Sequence, residues 1–220
     1  PKPSEMRRTI CPAASATNPS FDNCWSASGQ TGPHPNNAKP MRTVFLDLET
    51  TGLDPRTDEI LEIGILDDAG TVLLDSLVRP ERNRRWPGAE AIHGIAPDDV
   101  ADAPTLDELR PRIIAAVYDA LVVIYNAPFD AGFLRYELDA AAEVRCAMRE
   151  FAAVYGEWSD RHGGWHWQKL HVAAAHVGFT WDGDSHRAIN DCRATRAVWR
   201  FLCRPSARSA DAVADRRSGR

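Results

Sequence analysis

The stretch Thr43–Asp54, TVFLDLETTGLD, sets two carboxylates, Asp47 and Glu49, inside an apolar run that otherwise reads as a buried strand. Burying a charge is costly, so the placement calls for a reason. Side chains alternate across a strand. Asp47 and Glu49 therefore share one face, while Val44, Leu46 and Leu48 point to the other and pack on helices. Two acids side by side repel, and one is driven to keep its proton unless a cation neutralises both. Their hard oxygens suit Mg²⁺ or Mn²⁺. The plain alternative is an exposed strand end with two solvated acids, and so short a pattern permits either.

Two further stretches carry the same kind of residue. In YNAPFDAGFL (125–134), Asp130 falls in the first turn of an expected helix. It either complements the positive helix end there, behind a cap at Asn126 or Ala127 and with Pro128 in the first turn, or reaches back beside Asp47. In SHRAINDCRAT (185–195), Asp191 lies at the edge of the apolar stripe formed by Ile189, Cys192, Trp199 and Leu202. His186 precedes it by five residues, a rotation of about 500° on a helix, so the two converge only if His186 sits before the helix. The segment Asp182-Gly183-Asp184-Ser185 reads as the loop that would allow this. The alternative is a capping Ser185 with an incidental His and Asp. Taken together, four acids and one imidazole stand at three element ends. That is the inventory of two-metal phosphoryl hydrolysis, in which two cations clamp the attacking and leaving oxygens and a histidine takes the proton from water.

The elements that would position these groups alternate along the chain. Residues 43–49 form a strand. EILEIGILD (59–67) and TVLLDSLV (71–78) flank Asp68-Ala69-Gly70 as a hairpin. Residues 105–120 form a helix with Thr105 as N-cap and Glu108 completing a capping box. LVVIY (121–125) is a short apolar strand, and a helix follows over 128–142. Further helices are expected over 148–155, 168–177 and from His186 to Cys203. A hairpin followed by alternating helices and strands predicts an α/β fold with a mixed sheet.

Composition bounds the rest. The 220 residues fit one domain with tails, and 44 % hydrophobic content supplies a core. Residues 1–40, rich in Pro, Ser, Asn and Gly, read as a disordered tail, 41–203 as the domain, and 204–220 as a flexible basic tail. The tails carry +2 and +3, so the net charge of −5 leaves −10 on the body. An acidic body lacks the basic footprint of a general nucleic-acid binder, and a bound cation would supply positive charge locally. No run of 18 apolar residues exists, so no membrane span is expected, and no apolar segment follows Met6-Arg7-Arg8 to make a signal peptide. Five cysteines without a CxxC pair favour a reduced, cytoplasmic setting. His166, His171 and His176 recur every five residues, which turns them away from one helix face and leaves them as surface residues. Trp158, Trp165 and Trp167 could stack on single-stranded bases, but large aromatics are mostly buried, so packing in the core or at its rim is expected.

With FLDLETTGL, NAPFDAGFL and HRAINDCRAT in this order, and IHGI at 92–95 between the first two, the chain resembles the DEDD superfamily of 3′–5′ exonucleases in its DEDDh (DnaQ-like) branch. That branch includes the proofreading epsilon subunit of bacterial DNA polymerase III, RNase T and oligoribonuclease. The resemblance spans about 41–203. It implies an RNase H-like fold, α/β with a mixed sheet of about five strands flanked by helices. It implies Asp47, Glu49, Asp130 and Asp191 as ligands of two Mg²⁺ or Mn²⁺ ions, and His186 as the general base. The activity implied is removal of nucleoside 5′-monophosphates from a free 3′ end. By similarity, Thr50 and Leu53 border the terminal nucleotide, with Leu53 as a wedge, and Asn126, Phe129 and His93 line the same pocket. Tyr125 departs from the pattern, since many members carry His there.

The partner implied is the single-stranded 3′ end of DNA or RNA, with DNA favoured by LDLETTGL and the His-Gly-Ile element; a polymerase or other protein partner is left open. Two alternatives stand beside this reading. One is an RNA-directed exoribonuclease of the same family. The other is a non-catalytic module binding nucleic acid or a partner, which the complete set of four acids and His186 argues against.

Overall fold

The computed structural model describes residues 41–160, 163–181 and 186–204. The expected tails, 1–40 and, beyond Arg204, 205–220, lie outside the described residues, as does the expected loop over 182–185.

A five-stranded mixed sheet runs in the order β3-β2-β1-β4-β5. β1 (Arg42–Thr50), β2 (Ile60–Asp67) and β3 (Val72–Leu77) form an antiparallel meander. The turn between β2 and β3 closes where Gly70 takes φ 95° and donates its N–H to the Asp67 carbonyl. β4 (Ala120–Ile124) then pairs parallel with β1, and β5 (Glu143–Cys146) parallel with β4. The parallel pair requires a crossover, and α2 (Leu106–Val117) provides it. Its start is as the sequence dictates: Thr105 accepts from the Glu108 N–H, and Glu108 accepts from the Thr105 N–H.

One face of the sheet packs on α2. Val44, Leu46 and Leu48 join Ile63, Ile65, Val122 and Ile124 in a core closed by Leu109, Ile113 and Val117. The opposite face receives α7 (Ala188–Leu202), with α5 (Ala147–Tyr155) and α6 (Leu170–His176) packed on α7. In antiparallel register, Phe45 faces Leu66, Asp47 faces Gly64 and Glu49 faces Glu62, so all six side-chain positions look toward α7. Gly64 is required there. A Cβ on it would stand 2.7 Å from the Ala188 carbonyl carbon and the Ile189 nitrogen, so its absence lets the start of α7 sit directly on the sheet beside Asp47.

Several expectations need correction. The helix over 128–142 is two short helices, α3 (Ala127–Phe133) and α4 (Arg135–Leu138), broken where buried Leu134 takes φ −114°, ψ 33°. The alanines that follow leave the helix because Ala142 donates to the Ala120 carbonyl and β5 begins; strand pairing overrides alanine's helical preference. α7 starts at Ala188 rather than His186. Helix α1 (Pro87–His93) and a 3₁₀ turn (Pro97–Val100) had no counterpart in the sequence reading. The tryptophans expected to pack lie at the surface instead, with Trp158 54 %, Trp165 37 % and Trp167 57 % exposed, around the small hairpin of β6 (Trp158–Ser159) and β7 (Gly164–Trp165). His166, His171 and His176 are exposed, as their spacing predicted. Among the described residues, no helix is long and apolar enough to cross a membrane.

Candidate functional site

β1 outruns its parallel neighbour. Pairing with β4 ends at Leu46–Ile124, which frees the backbone of Leu48 at the carboxyl end of the sheet. Asp130, in the first turn of α3, fills that gap: its buried carboxylate accepts from the Leu48 N–H. The second sequence stretch is thereby fastened to the first, and Asp130 both complements its helix start and reaches back to β1.

Asp191, on the first turns of α7, meets this pair from above the sheet. His186 stands before the helix in the left-handed region, at φ 67°, an uncommon conformation for a residue with a Cβ. The turn brings it back over Asp191, and its backbone N–H bonds the Asp191 carboxylate. One ligand atom each of Glu49, His186 and Asp191 lies within 4.8 Å of the others. Asp130 is buried, Asp47, Glu49 and Asp191 are half-buried, and His186 is exposed. The cluster thus opens to solvent on the His186 side.

Its electrostatics are unbalanced. Burial, followed by the charges of Asp130, Asp191, Glu49 and Glu62, pushes the Asp47 carboxyl well above its ordinary range. Burial together with Asp191, Glu62 and Asp130 pushes Glu49 up to about 8. Asp130 is pushed to about 8, chiefly by burial, against the pull of its own and the Leu48 N–H. Asp191 rises to about 6, again chiefly by burial, with His186 pulling the other way. Asp191 Oδ1 is buried with no hydrogen-bond partner among the described residues. Buried polar atoms are normally satisfied. A set of hard oxygens with an imidazole, mutually repelling and with one orphaned acceptor, fits a divalent cation.

One cation does lie close, and it is committed elsewhere. Arg187 makes a two-pronged bond to Glu62, with Nη2 2.6 Å from Oε1 and Nε 3.1 Å from Oε2. Glu62 also accepts the Ala188 N–H at 2.9 Å, so it caps α7 from the neighbouring strand, a service the Arg187 N-cap side chain does not perform. Sequence reading missed this pair. The signal was available, since Glu62 is a third acid inside an apolar strand, like Asp47 and Glu49.

The residues assigned to the terminal nucleotide fall into two groups. Leu53 is 83 % exposed beyond the end of β1, and Asn126 is exposed at the N-cap of α3 without a side-chain capping bond. Thr50 is buried, its hydroxyl donating to the Gly52 carbonyl at 2.7 Å. Phe129 is half-buried against Phe133, ring centroids 5.2 Å apart. His93 is buried with both ring nitrogens engaged: Nδ1 accepts from the Ile95 N–H, which leaves Nε2 to donate to the Thr50 carbonyl at 3.3 Å. Burial lowers its pKa, in keeping with that neutral form. His93 therefore supports the end of β1. Tyr125, also buried, donates its hydroxyl to the Gln168 carbonyl at 2.7 Å and so ties the end of β4 to the segment before α6.

A family model described as an exonuclease, of the RNase T type, matches residues 44–199. An uncharacterised exonuclease of Escherichia phage 186 is 36 % identical over 171 residues, covering 70 % of this chain and 84 % of the phage protein. The DNA polymerase III subunit epsilon of Rickettsia felis is 33 % identical over 117 residues, 51 % of each chain, so this chain spans about half the length of that relative. Among solved structures, Exonuclease X in complex with 5′ overhanging duplex DNA superposes with a TM-score of 0.55 at 24 % identity, over 73 % of this chain and 90 % of that one. E. coli Exonuclease I in complex with a dT13 oligonucleotide gives 0.64 at 20 % identity, over 78 % and 43 %. These structures share the fold of this chain, the RNase H-like mixed sheet flanked by helices.

Proposed function

The chain belongs to the DnaQ-like 3′–5′ exonuclease family, and on that premise we propose that residues 41–203 form a domain that removes nucleoside 5′-monophosphates one at a time from the 3′ end of single-stranded nucleic acid, DNA in preference to RNA. The observation that carries the reading is the meeting of Asp47, Glu49, Asp130 and Asp191 beside His186, with none of the four acids in an ion pair with Lys or Arg among the described residues.

Asp47, Glu49, Asp130 and Asp191 would hold two Mg²⁺ or Mn²⁺ ions. When bound, such ions supply charge that clamps the attacking and leaving oxygens of an in-line displacement. The protein's own groups do the rest. Leu53, the one large apolar side chain standing free at the end of β1, wedges against the terminal base. Thr50, Asn126 and Phe129 border the same nucleotide, and His93 fixes the Thr50 carbonyl. His186, the exposed member of the cluster, takes a proton from water at an imidazole nitrogen. The water oxygen bonds to phosphorus, the bond from phosphorus to the 3′ oxygen of the preceding nucleotide breaks, and that oxygen leaves on the shortened strand, taking up a proton. The imidazole returns its proton to solvent. The preference for DNA is supported by the epsilon-type relatives and by the DNA in the solved structures of like fold.

Incubation of 5′-labelled single-stranded DNA and RNA of one sequence, with Mg²⁺, Mn²⁺ or EDTA, tests this. A ladder shortening from the 3′ end, abolished by EDTA, weaker on RNA and slowed about 10²–10⁴-fold in His186→Ala, is expected. An unchanged rate in His186→Ala would reassign that residue to structure. No shortening of either strand would leave the domain as a binding module.

A further inference from the structure

Three tryptophans, Trp158, Trp165 and Trp167, stand exposed to solvent at and beside the small hairpin. Trp158 and Trp165 face each other across the β6–β7 hairpin, in register, with rings edge to face at 5.2 Å and 89°. Trp167 lies under the Arg149 guanidinium, 5.7 Å from its ring centroid. A single exposed indole is ordinary, whereas a group of them marks an interaction surface. These are also held in place. The His166 N–H donates to the Glu157 carbonyl at 2.7 Å, and Gln168 Nε2 donates to Glu157 Oε2 at 2.8 Å, which closes the hairpin at its base.

Hydrogen bonds tie the segment after the hairpin to the end of β4, five residues before Asp130. Gln168, next to Trp167, receives the Tyr125 hydroxyl. The Tyr125 carbonyl receives the Met148 N–H, from the residue before Arg149. Tyr125 in turn precedes Asn126 and lies five residues before Asp130. Tyr125, the one departure from the family pattern, thus fastens Trp167 and Arg149 to the end of β4 where the carboxylates gather.

We propose that Trp158, Trp165 and Trp167, with Arg149, are a stacking platform for bases of the single strand that leads into the site. The inference rests on the proposed exonuclease reading and extends it to nucleotides upstream of the scissile end. Aromatic faces accept any base, so the platform confers length dependence rather than sequence preference. Arg149 supplies positive charge for the phosphates on a body that is otherwise acidic.

Two readouts on the full chain separate this from the catalytic reading. The first is the affinity for a fluorescently labelled oligothymidylate of about 16 nucleotides in EDTA, followed by anisotropy and by quenching of tryptophan emission. The second is KM for the same oligonucleotide and for a nitrophenyl ester of thymidine 5′-monophosphate, with Mn²⁺. Trp167→Ala and Trp165→Ala are expected to weaken binding and raise KM for the oligonucleotide by about 5- to 100-fold each, with Trp→Phe restoring most of it. Hydrolysis of the ester, which is too small to reach the hairpin, is expected to stay at the wild-type rate. Equal oligonucleotide affinity in wild type and variants overturns the platform and gives the indoles to a protein partner. A wild type that binds through the tryptophans but hydrolyses neither substrate upholds the platform and refutes the exonuclease.

Discussion

Glu49 and Glu62 are cross-strand neighbours on one face of one sheet, and they have opposite chemistry. Glu62 is 1 % exposed, yet both its oxygens are occupied by Arg187 and by the first N–H of α7. Glu49, more open to water, makes no ion pair among the described residues and is pushed up to about 8 by burial and by the acids around it, against the pull of Arg187. A structural carboxylate in this fold brings its counter-charge along the chain. The carboxylates of the site are assembled from three elements without one. The difference separates a residue that builds the site from residues that leave it poised for a ligand. It also shows how the two are linked, because the Glu62–Arg187 pair sets the start of α7 and hence the places of His186 and Asp191.

The largest break in the comparison is expected from Asp47→Ala. Asp47 sits at the centre of the repelling set, and its loss should abolish 3′ shortening while leaving the fold intact, since removing one of four mutually repelling acids relieves strain. Initial rates on labelled single strands and a circular dichroism melt check both halves. Substantial cleavage by a clean preparation would sink the two-metal assignment.

Arg187→Ala should show the reverse pattern, with stability as the main casualty. It strands Glu62 buried beside the other acids. Removing one partner of a buried pair costs about 3–5 kcal/mol, and the half-exposed guanidinium brings the expectation down to about 2–3 kcal/mol in a urea titration. Cleavage should also fall, because the Glu62 carboxylate that caps α7 loses the guanidinium that holds it in place. A wild-type urea midpoint would mean that water replaces the arginine freely and that Glu62 is no anchor.

The sharpest test of the open cluster is in pH. Without metal, Glu49 and Asp130 hold protons up to about pH 8 and Asp191 up to about pH 6, whereas unfolded carboxyls release them near about pH 4. The folded state therefore binds more protons than the unfolded one across that window, and stability falls as pH rises through it. In EDTA, Tm is expected to decline from about pH 5 to about pH 8, and Mg²⁺ is expected to flatten the decline by favouring the ionised folded form. A flat profile in EDTA would show that the cluster is already balanced.

Much of this was legible along the chain because the relevant signals are local. Alternation in β1 put Asp47 and Glu49 on one face and three apolar residues on the other. The Thr105–Glu108 box fixed the start of α2 to the residue. The five-residue step from His186 to Asp191 lets the two converge only if His186 precedes the helix, and His186 stands before α7 at positive φ. What the chain could not show depends on neighbours far away in sequence. The fate of Glu62 is decided by Arg187, 125 residues on. Residues 128–142 look helical until β4 offers a strand edge that recruits β5. Trp158, Trp165 and Trp167 are as apolar as any core residue, and only the placing of the hairpin outside the packed layers exposes them. Sequence by itself determined which groups stand at the ends of which elements, since backbone geometry sets periodicity within a few residues. Tertiary structure alone decided which charges are neutralised, which are left open and which aromatics face water, because burial and Coulombic balance belong to the assembled neighbourhood and to no single segment.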